Sequence, residues 1–330
     1  MNNKEKKSKF EVGIIGAGAI TVTLHLPLLS AMENTQPKYI VDVSKPVELA
    51  KIYKIDAYDS KNLEELPDCD IVLIATPVGV REQYINEFSK RGTPIFTEKP
   101  FATTIEEHKK FLGCSDSIAC NYMKIWYNSS KLFENILTSQ IFGNLKKISI
   151  KEGGIIGKTN RGNDTYQSDK KLSGGGIILE SSCHTLSVLA EIFEDIRVSD
   201  SKILWEKELD VDAKVNFVIK ENSRDIPIEY HATLIEPIET RTILFYDNSY
   251  IEFNHAVPNP KFIIHNYENK KSFEIKMDTE YANSAQQAYY LTWKNFIDNL
   301  KNSEKLNTEK LTSLKTTKLI SDIYKMSEKK

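Results

Sequence analysis

Val12-Gly13-Ile14-Ile15-Gly16-Ala17-Gly18-Ala19-Ile20-Thr21 is the stretch whose reading decides the fold. An apolar run enters closely spaced glycines, and a helix-forming stretch, Ala19 to Met32, follows at once. The order strand, glycine turn, helix aims backbone N–H groups and the positive end of a helix at an anion. It suits a dinucleotide pyrophosphate. Gly16 permits the tight turn, Gly18 admits the phosphates to the backbone, and Ala19 and Ile20 open the helix beside them. Thr21 stands where the third glycine of G-x-G-x-x-G falls, a place that serves helix–strand packing more than phosphate contact. Lys38 to Val43 reads as the second strand, and Asp42 lies 26 residues beyond Gly16. A carboxylate there accepts hydrogen bonds from both ribose hydroxyls of NAD and repels a 2′-phosphate. Ser44 and Lys45 follow it and would touch such a phosphate, so NADP stays open beside NAD. A flexible glycine loop and a solvated strand-end acid carry the same letters separately. Together they point to a nicotinamide dinucleotide.

The 330 residues suggest about two domains. An apolar share of 40% and a charged share of 27% are those of a globular protein. A formal charge of −2 gives no reason to expect nucleic acid or an anionic membrane as partner. No run approaches the ~20 apolar residues of a membrane span. The basic start, residues 1–8, is read as a disordered tail, because no apolar stretch long enough for a signal peptide follows it. Cys69, Cys114, Cys120 and Cys183 are scattered, which is the pattern of reduced thiols in a cytoplasmic protein. The six histidines form no local cluster, and no metal is expected.

Residues 9–122 alternate short β-rich runs with helical segments: strands at Phe10–Ile15, Lys38–Val43, Cys69–Thr76, Pro94–Thr97 and Ser117–Tyr122. Pro46 to Tyr53 reads as a helix with Ser44 as cap. Thr104-Ile105-Glu106-Glu107 is a capping box opening another. This rhythm predicts a parallel, doubly wound sheet with its ligand at the strand C-termini. Within residues 123–330 the rhythm changes. Gly153 to Ser173 is a polar loop, and Gly175 to Glu194 is a helix with an apolar stripe. A series of β-like runs from Lys202 to Met277 joins the strand Lys147–Glu152 in one large, mostly antiparallel open sheet. Two helices close the chain, near Ser284–Lys301 and Thr308–Met326, with an apolar face to pack on one of the domains. The fold class is α/β plus α+β.

Three stretches carry chemistry. Ala75-Thr76-Pro77 ends a central strand, where backbone groups face a cofactor. Thr97-Glu98-Lys99-Pro100 ends the strand Pro94–Thr97, and a Lys there can hydrogen-bond a substrate oxygen and supply positive charge as an alkoxide develops. In Gly174-Gly175-Gly176-Ile177-Ile178-Leu179-Glu180-Ser181-Ser182-Cys183-His184, a continuous helix makes Glu180 and His184 i,i+4 neighbours. The carboxylate would then hold the tautomer of an imidazole that moves the substrate proton. A surface Glu–His pair is the competing reading, and the three glycines argue for close backbone approach.

In order and spacing these motifs resemble the glucose–fructose oxidoreductase / inositol dehydrogenase (Gfo/Idh/MocA) family over nearly the whole chain. The glycine turn is followed by His25-Leu26-Pro27, Ala75-Thr76-Pro77, Glu98-Lys99-Pro100, Asn121-Tyr122-Met123-Lys124 and the glycine block with His184. The resemblance implies a Rossmann domain and a second domain whose open sheet often joins copies into a dimer or tetramer. It implies Lys99, Glu180 and His184 as catalytic residues. Around the cofactor it places Gly16, Gly18, Ala19 and Ile20, then Asp42, Thr76 and Pro77, with Glu98 and Lys99. Lys124, Trp126, Arg161 and Tyr166 are expected on the substrate, with Asn163 and Lys170 in the same loop. The sequence departs from the family at Glu180, where Asp is usual, and at Ser182, Ser187, Arg81 and Lys124. The expected activity is NAD(P)-dependent oxidation or reduction of a secondary alcohol or ketone on a sugar, cyclitol or nucleotide sugar. The alternatives are a protein that retains NAD and recycles it, as a glycosidase or sugar–sugar oxidoreductase, and a non-catalytic NAD-binding regulator.

Overall fold

The computed structural model describes residues 9–154, 165–221, 223–275, 281–300 and 303–328. The expected tail at residues 1–8 lies outside them. The first sheet is built from β1 (Phe10–Ile15), β2 (Thr35–Asp42), β3 (Asp56–Asp59), β4 (Ile71–Ile74), β5 (Ile95–Thr97) and β6 (Ile118–Cys120). Its order is β3-β2-β1-β4-β5-β6, all parallel. This is the doubly wound dinucleotide-binding order, and its switch point lies between β1 and β4. The connecting helices are α1 (Leu26–Ala31), α2 (Val47–Tyr53), α3 (Glu82–Lys90) and α4 (Ile105–Cys114). Every residue of β4 is buried, as a strand covered on both faces requires.

Local signals placed most of these elements, with three differences. The edge strand β3 is not legible in the sequence, because Asp-Ala-Tyr-Asp is short and half polar. Ser44 does not cap α2; Pro46 occupies the cap position without a side-chain bond. Thr104 does cap α4, its hydroxyl accepting from Glu107 N at 3.1 Å. The return bonds from Glu107 reach Thr103, one residue earlier than a capping box has them, taking its N–H at 2.6 Å and its hydroxyl at 2.7 Å.

The second half starts with α5 (Asn128–Ser139), β7 (Leu145–Gly153), the short α6 (Lys170–Ser173) and α7 (Cys183–Ile192). The strands β8 (Ile196–Glu206), β9 (Leu209–Glu221), β10 (Arg224–Thr233), β11 (Arg241–Tyr246), β12 (Ser249–Phe253), β13 (Phe262–Asn266) and β14 (Ser272–Ile275) follow. With β7 they form an eight-stranded sheet in the order β14-β13-β12-β11-β7-β10-β9-β8. Only the β7–β10 pair is parallel. One face packs on α5, α7 and the last helix, where Ile148, Ile150, Phe217, Leu244 and Leu186 share a core.

Two helices, α8 (Ala285–Asn299) and α9 (Ser303–Glu328), tie the halves together. Trp293, Phe296 and Ile297 of α8 enter the core of the first sheet beside Val12, Ile14 and Phe96. Leu319, Ile320 and Ile323 of α9 enter the core of the second.

Candidate active site

The two halves meet over a cleft of about 810 Å³ at the C-terminal ends of β1, β2, β4 and β5, a volume on the scale of a small-molecule site. Gly16 turns there with φ +104°, and a Cβ on it would stand 2.6 Å from the carbonyl oxygen of Ala75. Only glycine fits that turn. Nothing lies within 4 Å of where a Cβ on Gly18 would stand, so the backbone is open to the cleft. Ala19 and Ile20 line the same wall, and Thr21 is fully buried behind it, as its packing role requires. The carboxylate of Asp42 is fixed by two backbone donors, Ala17 N and Val43 N, both at 2.6 Å. Thr76 and Pro77 line the opposite wall, and the Thr76 hydroxyl is buried with no partner among the described residues. An open glycine cradle, an acid at the ribose position and an unmatched hydroxyl fit a nicotinamide dinucleotide.

Beneath the cleft, strand ends are fastened by a polar web. Glu98 Oε1 accepts from Asn121 Nδ2 at 2.7 Å and sits 2.7 Å from His25 Nε2. Trp293 Nε1 donates to His25 Nδ1 at 3.0 Å. Indole N–H is only a donor, so Nδ1 must be the acceptor and the imidazole proton is on Nε2, facing Glu98. Burial pushes the Glu98 carboxyl up, but the hydrogen bonds and charge around it prevail and hold it below the ordinary range. Arg81, 1% exposed, donates to the carbonyls of Glu98 at 2.6 Å and Thr76 at 2.8 Å, and to Pro100. It clamps the ends of β4 and β5 together. Sequence reading registered Arg81 only as a departure from a family pattern; three carbonyl partners spread from position 76 to 100 leave no local signal.

The second half contributes the turn after the three glycines. Gly176 approaches β9 so closely that a Cβ on it would stand 2.0 Å from the Asp210 carbonyl oxygen. The Asp210 side chain is fully buried and accepts from Gly176 N at 2.6 Å, Ile178 N at 2.7 Å and Tyr324 OH at 3.0 Å. It therefore satisfies the orphan donors at the start of this helix. Burial pushes its carboxyl up against those hydrogen bonds. The helix does not run through evenly: a π-type turn spans Ile178–Ser182 before α7. The expected Glu180–His184 bond is not made. Glu180 Oε1 instead accepts from Lys99 Nζ at 3.2 Å and Gln167 Nε2 at 3.1 Å, with Tyr166 OH at 3.5 Å. Lys99 Nζ also donates to the Glu180 carbonyl at 2.8 Å. The wider turn shifts the i,i+4 geometry and hands the carboxylate to the ammonium.

Electrostatics follow from this contact. Burial lowers the Lys99 ammonium, but the Glu180 carboxylate outweighs it and the net direction is up. Lys99 is a cation here, suited to stabilising an oxyanion and unsuited to taking a proton. His184 goes the other way, lowered well below the ordinary imidazole value by burial first and then by the Lys99 and Lys124 ammoniums. Its Nδ1 is buried without a partner among the described residues.

Lys99, Glu180, His184 and Tyr166 all line the cleft that Gly16, Gly18 and Asp42 line. Lys124 lines a small adjoining cavity of about 20 Å³ with Thr185 and His255, though its charge is felt at His184. Trp126 does not reach the cleft; the short turn that carries it packs toward α8 and leaves it in a different cavity. Lys170 is exposed, with its ammonium 5.8 Å from the Trp205 ring centroid. Arg161 and Asn163 lie outside the described residues. Asp212, His231 and Glu236 converge elsewhere, at one end of β9 and β10, with His231 Nε2 2.7 Å from Asp212 Oδ2 and 3.9 Å from Glu236 Oε1. Gln167 is the functional neighbour that sequence reading missed; nothing in a polar loop marks which side chain will reach a carboxylate.

The parallel sheet, the glycine turn and the acid at the end of β2 define a protein that binds a nicotinamide dinucleotide. Residues 10–123 match the model of the oxidoreductase family with an NAD-binding Rossmann fold, GFO_IDH_MocA. A curated relative, the uncharacterized oxidoreductase YrbE of Bacillus subtilis, is 27% identical over 183 residues, 52% of this chain and 50% of that protein. The scyllo-inositol 2-dehydrogenase (NADP(+)) IolW of the same organism is 21% identical over 218 residues, 63% of this chain and 58% of that protein. The chain thus matches about half the length of these relatives. Among solved structures, KijD10, a 3-ketoreductase from Actinomadura kijaniata in complex with NADP and TDP-benzene, superposes with a TM-score of 0.82 at 13% identity, covering 96% of this chain and 97% of that one. At that identity the likeness is one of fold.

Proposed function

We propose that this protein is an NAD(P)-dependent oxidoreductase acting on a secondary alcohol or ketone of a sugar, cyclitol or nucleotide sugar. The observation that carries the reading is the contact between the halves: Lys99 Nζ lies 3.2 Å from Glu180 Oε1, and His184 lines the same cleft as the glycine turn. A nicotinamide cofactor, held by Gly16, Gly18, Ala19, Asp42 and Thr76, would supply the redox centre of the reaction. Lys99 holds the substrate oxygen and its developing charge. His184, kept neutral by burial and two neighbouring cations, takes the carbinol proton during oxidation. Glu180 positions Lys99 rather than His184, and Glu98, Asn121, His25 and Arg81 hold the strand end from which Lys99 projects. The substrate class draws support from IolW and KijD10, whose names place them on an inositol and as a ketoreductase. Asp42 favours NAD over NADP through its charge.

The test is a panel of sugars, cyclitols and nucleotide sugars with each cofactor, read at the nicotinamide absorbance band, with Lys99→Met and His184→Ala as controls. Turnover that needs no added soluble cofactor would move the assignment to a protein that retains and recycles NAD. Cofactor binding without any absorbance change across the panel would leave a non-catalytic regulator.

The reading includes self-association through the open face of the second sheet. Tyr250 stacks on His265 there with ring centroids 4.3 Å apart, and Phe245 and Tyr267 flank them. A monomer by sedimentation at micromolar concentration would rule this out. A reducing, cytoplasmic setting is also part of it, supported by four unpaired cysteines; among the described residues no helix is long and apolar enough to cross a membrane.

A further inference from the structure

Trp126 and its neighbours do something other than what the sequence suggests. They line a separate cavity of about 290 Å³ where α7, α8, α9 and the Met123–Trp126 turn converge. The segment Cys120 to Met123 divides it from the cleft. Successive side chains of this segment serve opposite sides: Cys120 and Tyr122 line the cavity, while Asn121 holds Glu98 and Met123 lines the cleft.

The chemistry of its walls selects a ligand class. Thr292 and Ser313 donate their hydroxyl protons to helix carbonyls, to Ala288 O at 2.8 Å and Lys310 O at 2.9 Å. Thr312 donates its own to Glu191 Oε2 at 2.7 Å. A hydroxyl has one proton and two lone pairs, so Thr292 and Thr312 keep acceptor oxygens, while the Ser313 oxygen is also engaged by His108 Nε2 at 3.4 Å. Glu191 adds carboxylate oxygens to the same wall and disfavours an anionic ligand. Asn295 and Asn299, which have partners of their own, complete the wall, and Trp126 and Tyr122 supply aromatic surface. The volume is at the lower end of the ~300–1,000 Å³ of small-molecule sites, which limits the occupant to about one ring.

We propose that this cavity is a second binding site, distinct from the cleft, for a neutral cyclic polyol. Such a molecule offers many O–H donors to the acceptor-rich wall and a C–H face to the aromatic rings, and it carries no charge to oppose Glu191. The inference is independent of the catalytic assignment.

The chain has three tryptophans, and only Trp126 lines this cavity: Trp293 is bonded to His25 in the core, and Trp205 stacks against Tyr324. Indole N–H resonances of 15N-labelled full-length protein therefore report the site directly, with Trp126→Phe giving the assignment. Titration with myo-inositol or D-glucose should shift the Trp126 resonance saturably at millimolar concentration. Asn295→Phe, which fills the cavity from its rim, should abolish the shift at unchanged melting temperature. Should that variant unfold, Thr312→Phe fills it from the opposite wall. Lys99→Met should leave the shift intact, and a phosphorylated hexose should fail to produce it. The proposal is overturned if neither polyol moves the resonance, if the shift survives in the filled variant, or if the phosphorylated sugar binds as well.

Discussion

Replacing Asp210 by alanine should loosen the turn that presents Glu180 and His184. The size of the effect can be worked from its bonds. The side chain accepts from Gly176 N at 2.6 Å, Ile178 N at 2.7 Å and Tyr324 OH at 3.0 Å while fully buried. The change strands two backbone donors and the Tyr324 hydroxyl, which burial keeps from water. Each buried donor without a partner costs about 1–3 kcal/mol. Relief of a carboxylate whose pKa burial has already pushed up offsets part of this, so the net loss should be about 2–4 kcal/mol. Asp210→Asn keeps one acceptor oxygen and should lose about half as much. The assay is urea unfolding followed by far-UV circular dichroism, with turnover and NADH affinity measured on the same samples. Turnover should fall in step with stability, while NADH affinity, set on the other side of the cleft, holds. The pH dependence has a definite sign. A carboxyl with a raised folded-state pKa contributes stability that is fully present below its unfolded value and is lost as pH rises through the raised one. The gap between wild type and Asp210→Ala should therefore widen on acidification. A variant within about 0.5 kcal/mol of wild type, the range of an ordinary surface change, would refute the reasoning.

Other outcomes follow from the same geometry. Lys99→Met should reduce kcat by about 10²–10³, the loss expected for one donor to a developing oxyanion, with the NADH dissociation constant unchanged by fluorescence titration. Lys124→Met removes one of the two cations that lower His184, so the acidic limb of kcat/KM for oxidation should move to higher pH; an unmoved limb would mean His184 does not set it. Asp42→Ser should tighten NADP by about tenfold relative to NAD, roughly 1.4 kcal/mol, read from the two dissociation constants. Burial raises the Glu152 carboxyl, but the His255 hydrogen bond and charge, the Lys124 charge and the Thr185 hydroxyl bring it below the ordinary range. Its contribution to stability is present above the unfolded carboxylate value and lost as pH falls through that value and on toward the lowered one, so Glu152→Gln should flatten the acid side of the stability profile.

What the sequence disclosed was whatever depends on neighbours in the chain. The βαβ rhythm, the glycine turn, the acid ending β2 and the cap at Thr104 are local patterns with periods of two or 3.6 residues, and the structure has each of them. β3 escaped because four half-polar residues carry no period. Arg81 and Asp210 escaped for a different reason: their partners lie up to 19 and 114 positions away, and no spacing encodes such a contact. Trp126 was misplaced because an aromatic residue near a conspicuous motif says nothing about which side of the backbone it takes. The case of Glu180 is the most instructive. An even helix would have joined it to His184, giving a carboxylate that raises the imidazole's basicity. The π-type turn over Ile178–Ser182 withholds that bond, and Lys99 receives the carboxylate instead. The consequence reverses the expected tuning: the carboxylate secures a permanent ammonium, and the imidazole, left beside two cations, is driven toward its neutral form. A site built this way keeps the imidazole in its neutral, proton-accepting form to lower pH, so the oxidation direction should be the less sensitive to acid.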